Sequence, residues 1–157
     1  MTALEQIAKR FSDTYDGRAW HGPSLRSIVD QVSVPEAAYR PASGMHSIVE
    51  LTYHAAYWMM LVRSWLSGID AVPDQDASWG PSTADPTQAW QEAKDTLAKE
   101  YQALTAAIDA FPNEKLDRLA HAESGLTYST LLNGLIDHNL YHAGQIMLIK
   151  KLHGRAG

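Results

Sequence analysis

The stretch from Leu131 to Leu152 is apolar, free of proline and long enough for about six helical turns. Along it Leu131, Leu135, His138, His142, Gln145, Ile149 and Leu152 recur with alternating steps of four and three. That is the repeat of a helix face buried in a bundle. A helix of this length needs other helices to cover its apolar side, so the chain is constrained to an all-α architecture before anything else in it is read.

The same face carries two histidines and a glutamine where aliphatic residues are expected. Burying an imidazole with unpaired ring nitrogens costs roughly 2 kcal/mol or more, so two of them one turn apart need a common explanation. Residues four apart on a helix have Cβ atoms about 6 Å apart, within reach of one ion. Far upstream, Leu51, His54, Trp58, Leu61 and Trp65 repeat the alternation, and again a histidine replaces an apolar residue. If the two helices face each other, His54, His138 and His142 converge as three neutral ligands, with positions left for water or substrate. The competing explanation is a buried polar network with no ion.

The remainder divides at its turn signals. Leu4, Ile7, Ala8, Phe11 and Tyr15 define a first helix from Thr2 to Tyr15. Gly17, Gly22 and Pro23 stop it, Ser24 can cap a short helix through Val32, and Pro35 starts one further turn. Ser47 and Glu50 form a capping box for the second long helix, which Gly68 ends. The Asp-, Pro-, Ser- and Gly-rich segment from Ile69 to Asp85 is long for a plain connection and reads as a mobile link or a cover. Asp85 and Pro86 open a third helix with the seam Trp90, Leu97, Tyr101, Leu104, Ile108 and Phe111, its acids and lysines turned outward. Thr127 or Ser129 caps the fourth helix, expected to end near His153 with Gly154 behind it, where Lys150 and Lys151 suit the helix dipole. The expected fold is a four-helix bundle with an additional short helix in the first connection, one domain over residues 1–157.

Composition narrows the chemistry. A formal charge of -5, with both signs interspersed, provides no basic stripe for nucleic acid and no polybasic patch for a membrane surface. Cysteine is absent, so disulfides, thiolate ligands and a cysteine nucleophile are excluded together. Any thiol in the reaction must come from outside. No apolar run approaches a membrane span and the N-terminal residues lack the pattern of a signal peptide, so the expected location is cytoplasmic.

Three stretches make nearly the whole chain resemble the DinB/YfiT-like superfamily of metalloenzymes. They are Trp20-His21-Gly22-Pro23-Ser24, the segment from His46 to Trp58 around His54, and His138-Asn139-Leu140-Tyr141-His142-Ala143-Gly144-Gln145-Ile146. The last is similar to that family's pair of histidines four apart followed by Gly-Gln. The resemblance implies an up-down-down-up bundle, His54, His138 and His142 as ligands to a divalent ion, nickel or zinc foremost, and a homodimer. Relatives include thiol-dependent transferases, isomerases and hydrolases, so it leaves the reaction open.

Several residues around this core have two readings. Gln145 either orients a ligand or bonds across the bundle. Glu50 is a candidate general base, but the capping box already accounts for it. Asp137 points about 100° away from His138 and reads as a surface or interface residue. Trp58 is a core residue or a substrate contact, and His21 and His46 are substrate contacts or ordinary loop residues. His121 and His153 are assigned no role. The functional expectation is a metal-dependent enzyme, a thiol-dependent transferase or a hydrolase, acting on a small molecule with a low-molecular-weight thiol as possible cosubstrate. Its rivals are a non-catalytic, metal-stabilised ligand-binding protein and a stress-response dimer.

Overall fold

A computed structural model describes residues 1–80, 83–120 and 125–156, so His121 lies outside the described residues. Among the described residues there are six α-helices: α1 (Ala3–Tyr15), α2 (Leu25–Asp30), α3 (Val34–Ala38), α4 (Ile48–Leu66), α5 (Pro86–Asp109) and α6 (Tyr128–Ala156). Their starts obey local chemistry. Thr2, Ser33 and Ser47 each accept from the third backbone N–H of their helix, while Glu5, Glu36 and Glu50 reach back to the cap residue. Ser24 and Asp85 cap α2 and α5, and Thr127 Oγ1 accepts from the Thr130 N–H at the start of α6. Gly68, at φ +77°, takes the left-handed conformation that ends α4.

Contacts along the helices establish their directions. Leu4 N–H donates to Asn113 just beyond α5, whereas Tyr15 stacks on Tyr101 inside it, so α1 and α5 run antiparallel. On α4 and α5, Tyr53 feels the charge of Glu92 and Arg63 pairs with Glu100, a parallel arrangement. His54 meets His138 near the middle of α6, and the Tyr128 hydroxyl donates to the Trp65 carbonyl at the end of α4, so α4 and α6 are antiparallel. Together these give the expected up-down-down-up order. The parallel α4–α5 pair requires the long crossover between them. The first connection contains two short helices, of which α3 is the single turn expected at Pro35.

The core residues include Leu4, Ile7 and Phe11 of α1, Leu51, Met59 and Leu61 of α4, and Leu97, Leu104 and Ile108 of α5. Three expectations need correction. Glu100 is not on the outer face of α5 but buried, because Arg63 of α4 meets its carboxylate at 3.0 Å and compensates the charge. Gly154 lies inside α6, which continues to Ala156; a glycine costs a helix only about 1 kcal/mol, and no proline follows to break it. On α6 the stripe expected to be core is only partly so: Leu135, His142 and Ile149 are buried, Leu131, His138, Gln145 and Leu152 are half-buried, and Leu132, Ile136, Asn139, Ala143 and Ile146 complete the buried face. The stripe from Leu131 to Leu152 therefore runs along the margin of the core, where it also borders the groove that α6 shares with α4.

Candidate metal centre

At that groove the α4 and α6 histidines meet. His138 Nε2 lies 3.3 Å from His54 Nε2 and 3.0 Å from His142 Nε2, and the three candidate donor atoms fall within 4.8 Å of one another. Among the described residues this is the one group of three or more potential ligands, and it contains no carboxylate. His54 and His142 are buried and His138 is half-buried.

The surroundings determine which nitrogens face inward. The Ser78 hydroxyl donates to the Gln75 carbonyl at 2.7 Å, so its oxygen accepts from His54 Nδ1–H at 3.2 Å. His142 Nδ1–H donates to Gln145 Oε1 at 2.6 Å. Both rings thus carry their proton on Nδ1 and direct an Nε2 lone pair toward His138. Gln145 takes the orienting role of its two readings. The Asn139 amide is near enough to favour the charged form of His138, yet neither His138 Nδ1 nor Asn139 Oδ1 completes a hydrogen bond.

Electrostatics keep the rings neutral. Burial first, then the neighbouring His138 and His142, lowers His54 to about 4. Burial and His142 lower His138 to about 4. Burial also lowers His142, against the opposing Gln145 bond. The residues fit a divalent cation. Tetrahedral coordination at imidazole–metal distances puts donor nitrogens about 3.3 Å apart, close to the two short separations here. The acceptor nitrogens of His54 and His142 both face His138 Nε2, which has at most one proton to give them, and a shared cation satisfies all three.

The segment between α4 and α5 is a cover. Its short 3-10 turn, Ala77–Trp79, brings Ser78 onto His54 and inserts the Trp79 ring between two imidazoles, parallel to His54 at 3.8 Å and to His46 at 3.6 Å. His46 therefore braces the site through Trp79, and its Nδ1 is 3.5 Å from Glu50 Oε2. Glu50 Oε1 accepts from Arg40 at 2.5 Å, and Oε2 accepts from the Ser47 N–H at 2.7 Å. Burial alone would raise its carboxyl, but those bonds outweigh it and hold the group below the ordinary range. Its carboxylate is thus spent on the cap and on Arg40.

Trp58, one turn after His54, donates its indole N–H to His54 Nε2 at 3.0 Å, so it touches the centre directly. His21 is exposed in the turn closed by the Ala19–Gly22 bridge and borders a shallow pocket on α1 with Arg10 and Leu140, away from the cluster. Asp137 pairs with Arg10 of α1 at 2.5 Å, as a surface residue. His153 packs edge-on against Tyr39. Sequence reasoning missed Ser78 and Trp79. The available signal was a lone tryptophan in an otherwise polar connection.

Two cavities flank the cluster along the α4–α6 groove. Toward the α6 C-terminus a cleft of about 420 Å³ is bordered by His142, Gln145, His46, Trp79, Leu51 and Ile149. Toward the α6 N-terminus a chamber of about 270 Å³ is bordered by His138, Trp58, Val62, Leu131, Gly134 and Leu135.

Comparison with known proteins agrees with this architecture. Residues 19–146 match the sequence profile of the DinB superfamily. A crystal structure described as that of the conserved protein of locus from Enterococcus faecalis superposes with a TM-score of 0.59 at 21% identity, covering 96% of this chain and 92% of that one. At that identity the likeness establishes the fold alone. No curated protein matches the chain.

Proposed function

The chain belongs to the DinB superfamily, and on that premise we propose that it is a metal-dependent enzyme using His54, His138 and His142 to hold one divalent ion. The observation that carries this reading is the convergence of three Nε2 atoms, two with their proton placed on the far ring nitrogen by Ser78 and Gln145. Imidazole donors suit nickel and zinc alike. A divalent ion with three neutral ligands keeps its full charge and supplies Lewis acidity, which makes water or a thiol nucleophilic near neutral pH.

The chain's own residues do the rest. Ser78 and Gln145 hold the ring orientations, Trp79 and Ile149 narrow access from the cleft, and the Trp58 indole offers a donor beside His54. Among the described residues no carboxylate joins the cluster to act as general base. This favours a reactant that acidifies readily, such as a low-molecular-weight thiol, over water. Two cavities on opposite sides of the cluster suit group transfer between two organic molecules better than hydrolysis of one. We therefore place thiol-dependent transfer ahead of hydrolysis.

The test is metal analysis and calorimetric titration of wild type and His138→Ala with nickel and zinc. About one ion per chain is expected for wild type, with at least a roughly hundredfold loss of affinity in the variant. Because Ser78, Gln145 and Trp58 already hold the rings, the metal-free protein should keep its helical circular dichroism. Collapse of the fold on chelation would instead make the ion a structural staple, and equal affinity in both proteins would remove the site.

A further inference from the structure

The chamber at His138 has a character of its own. Val62, Leu126, Leu131 and Leu135 supply aliphatic walls, the Trp58 ring closes one side, and Thr130, His138 and the Trp58 indole N–H are its polar elements. Among the described residues no charged side chain borders it. At about 270 Å³ it accommodates one ring or a short chain, whereas a peptide helix, about 10 Å across, does not fit.

Gly134 lines the space. It lies in the interior of α6, where glycine weakens a helix by about 1 kcal/mol relative to alanine. Neither backbone nor packing demands it: its φ is negative, and a Cβ built there meets no atom within 4 Å. At this position glycine leaves a stretch of bare backbone in the cavity wall, one turn before His138.

We propose that this chamber receives the apolar part, an aryl ring or short alkyl chain, of an uncharged substrate whose reacting end faces His138. The proposal rests on the metal-centre reading for the word substrate, but the binding itself does not. An uncharged ligand is selected because, among the described residues, no charged side chain borders the cavity to compensate a carboxylate or an ammonium. Orientation follows from polarity, since a ligand's polar end finds partners only at the His138 and Trp58 side or at Thr130.

The experiment uses benzyl alcohol as probe and benzoate as its charged counterpart, titrated into metal-free wild type, Gly134→Leu and Leu131→Phe. The readout is the Trp58 indole N–H signal among the five tryptophans, assigned with Trp58→Phe. Saturable movement of that signal by benzyl alcohol, at least tenfold weaker binding of benzoate, and at least tenfold weaker binding of benzyl alcohol by either filled variant are the expected results. Leucine is a better helix former than glycine, so Gly134→Leu should fold, and Leu131→Phe provides a second obstruction at another wall. An unmoved Trp58 signal, or filled variants that bind like wild type, overturns the proposal. Nickel titration of Gly134→Leu separates the two readings. Wild-type metal affinity with lost probe binding supports the chamber, whereas failure of wild type to bind metal defeats the metal centre and leaves the probe result standing on its own.

Discussion

The cleft beside His142 and the chamber beside His138 lie in one groove between the same two helices, yet they are built oppositely. The cleft is roofed by a connection. Trp79 is wedged between His46 and His54, Gln145 holds His142, and the Arg40–Glu50 pair stands behind His46. The chamber has aliphatic walls, with the bare backbone of Gly134 among them. The contrast teaches that a helix pair with one apolar repeat can present two chemistries to one cluster. Which chemistry faces which histidine depends on what covers the groove at each end.

The largest test of that contrast compares one side chain from each end. Gln145→Leu removes the acceptor that orients His142, and metal affinity should fall by roughly 10- to 100-fold. Leu131→Phe, on the chamber side, should leave metal affinity within about twofold of wild type because it touches no ligand. Calorimetry with nickel reads both, and equal losses would erase the division of labour.

A smaller effect concerns the histidine partition between the two cavities. His54 and His138 titrate near about 4 in the folded protein, against an ordinary value of 6.5. Between those limits the unfolded chain binds more protons than the folded one, so stability must decline as pH falls. For metal-free protein the melting temperature should be level above about pH 6.5, fall by on the order of 5 °C toward pH 4, and flatten below that as far as these two groups are concerned. A His54→Gln, His138→Gln double variant should lose most of this slope. A melting curve unchanged across the window would show that the rings are not buried in neutral form.

The smallest expected change comes from Trp58→Phe. It keeps an aromatic wall for the chamber while deleting the N–H that occupies the His54 Nε2 lone pair. A neutral hydrogen bond has a net worth of about 1 kcal/mol, so nickel affinity should rise about fivefold. Weaker binding would mean that the indole supports the bound state instead of competing with it.

Most of the architecture was legible because its signals are local. Capping pairs such as Ser47 with Glu50, the Asp85-Pro86 start and the Gly68 stop act within one turn of chain, and the structure keeps each of them. The three histidines were legible for a different reason, since polar residues on an apolar helix repeat violate the pattern. The role of Trp79 was not legible. A stack between His46 and His54 depends on where a long connection lands, and no periodicity records that. The same holds for Glu100, whose burial depends on Arg63 of another helix.

The sequence by itself determined a helical chain with two histidine-bearing faces and no thiol of its own, because helix periodicity and composition need no partner to be read. Only the tertiary structure decided that part of the expected core stripe of α6, Leu131, His138, Gln145 and Leu152, is half-buried along a groove. It also decided that His54 and His142 are protonated on their outer nitrogens, and that one end of the groove is roofed by Ser78 and Trp79 while the other stays apolar. Those outcomes depend on the angle and depth at which helices pack, and a modest change in depth is enough to turn part of a core face into the wall of a site.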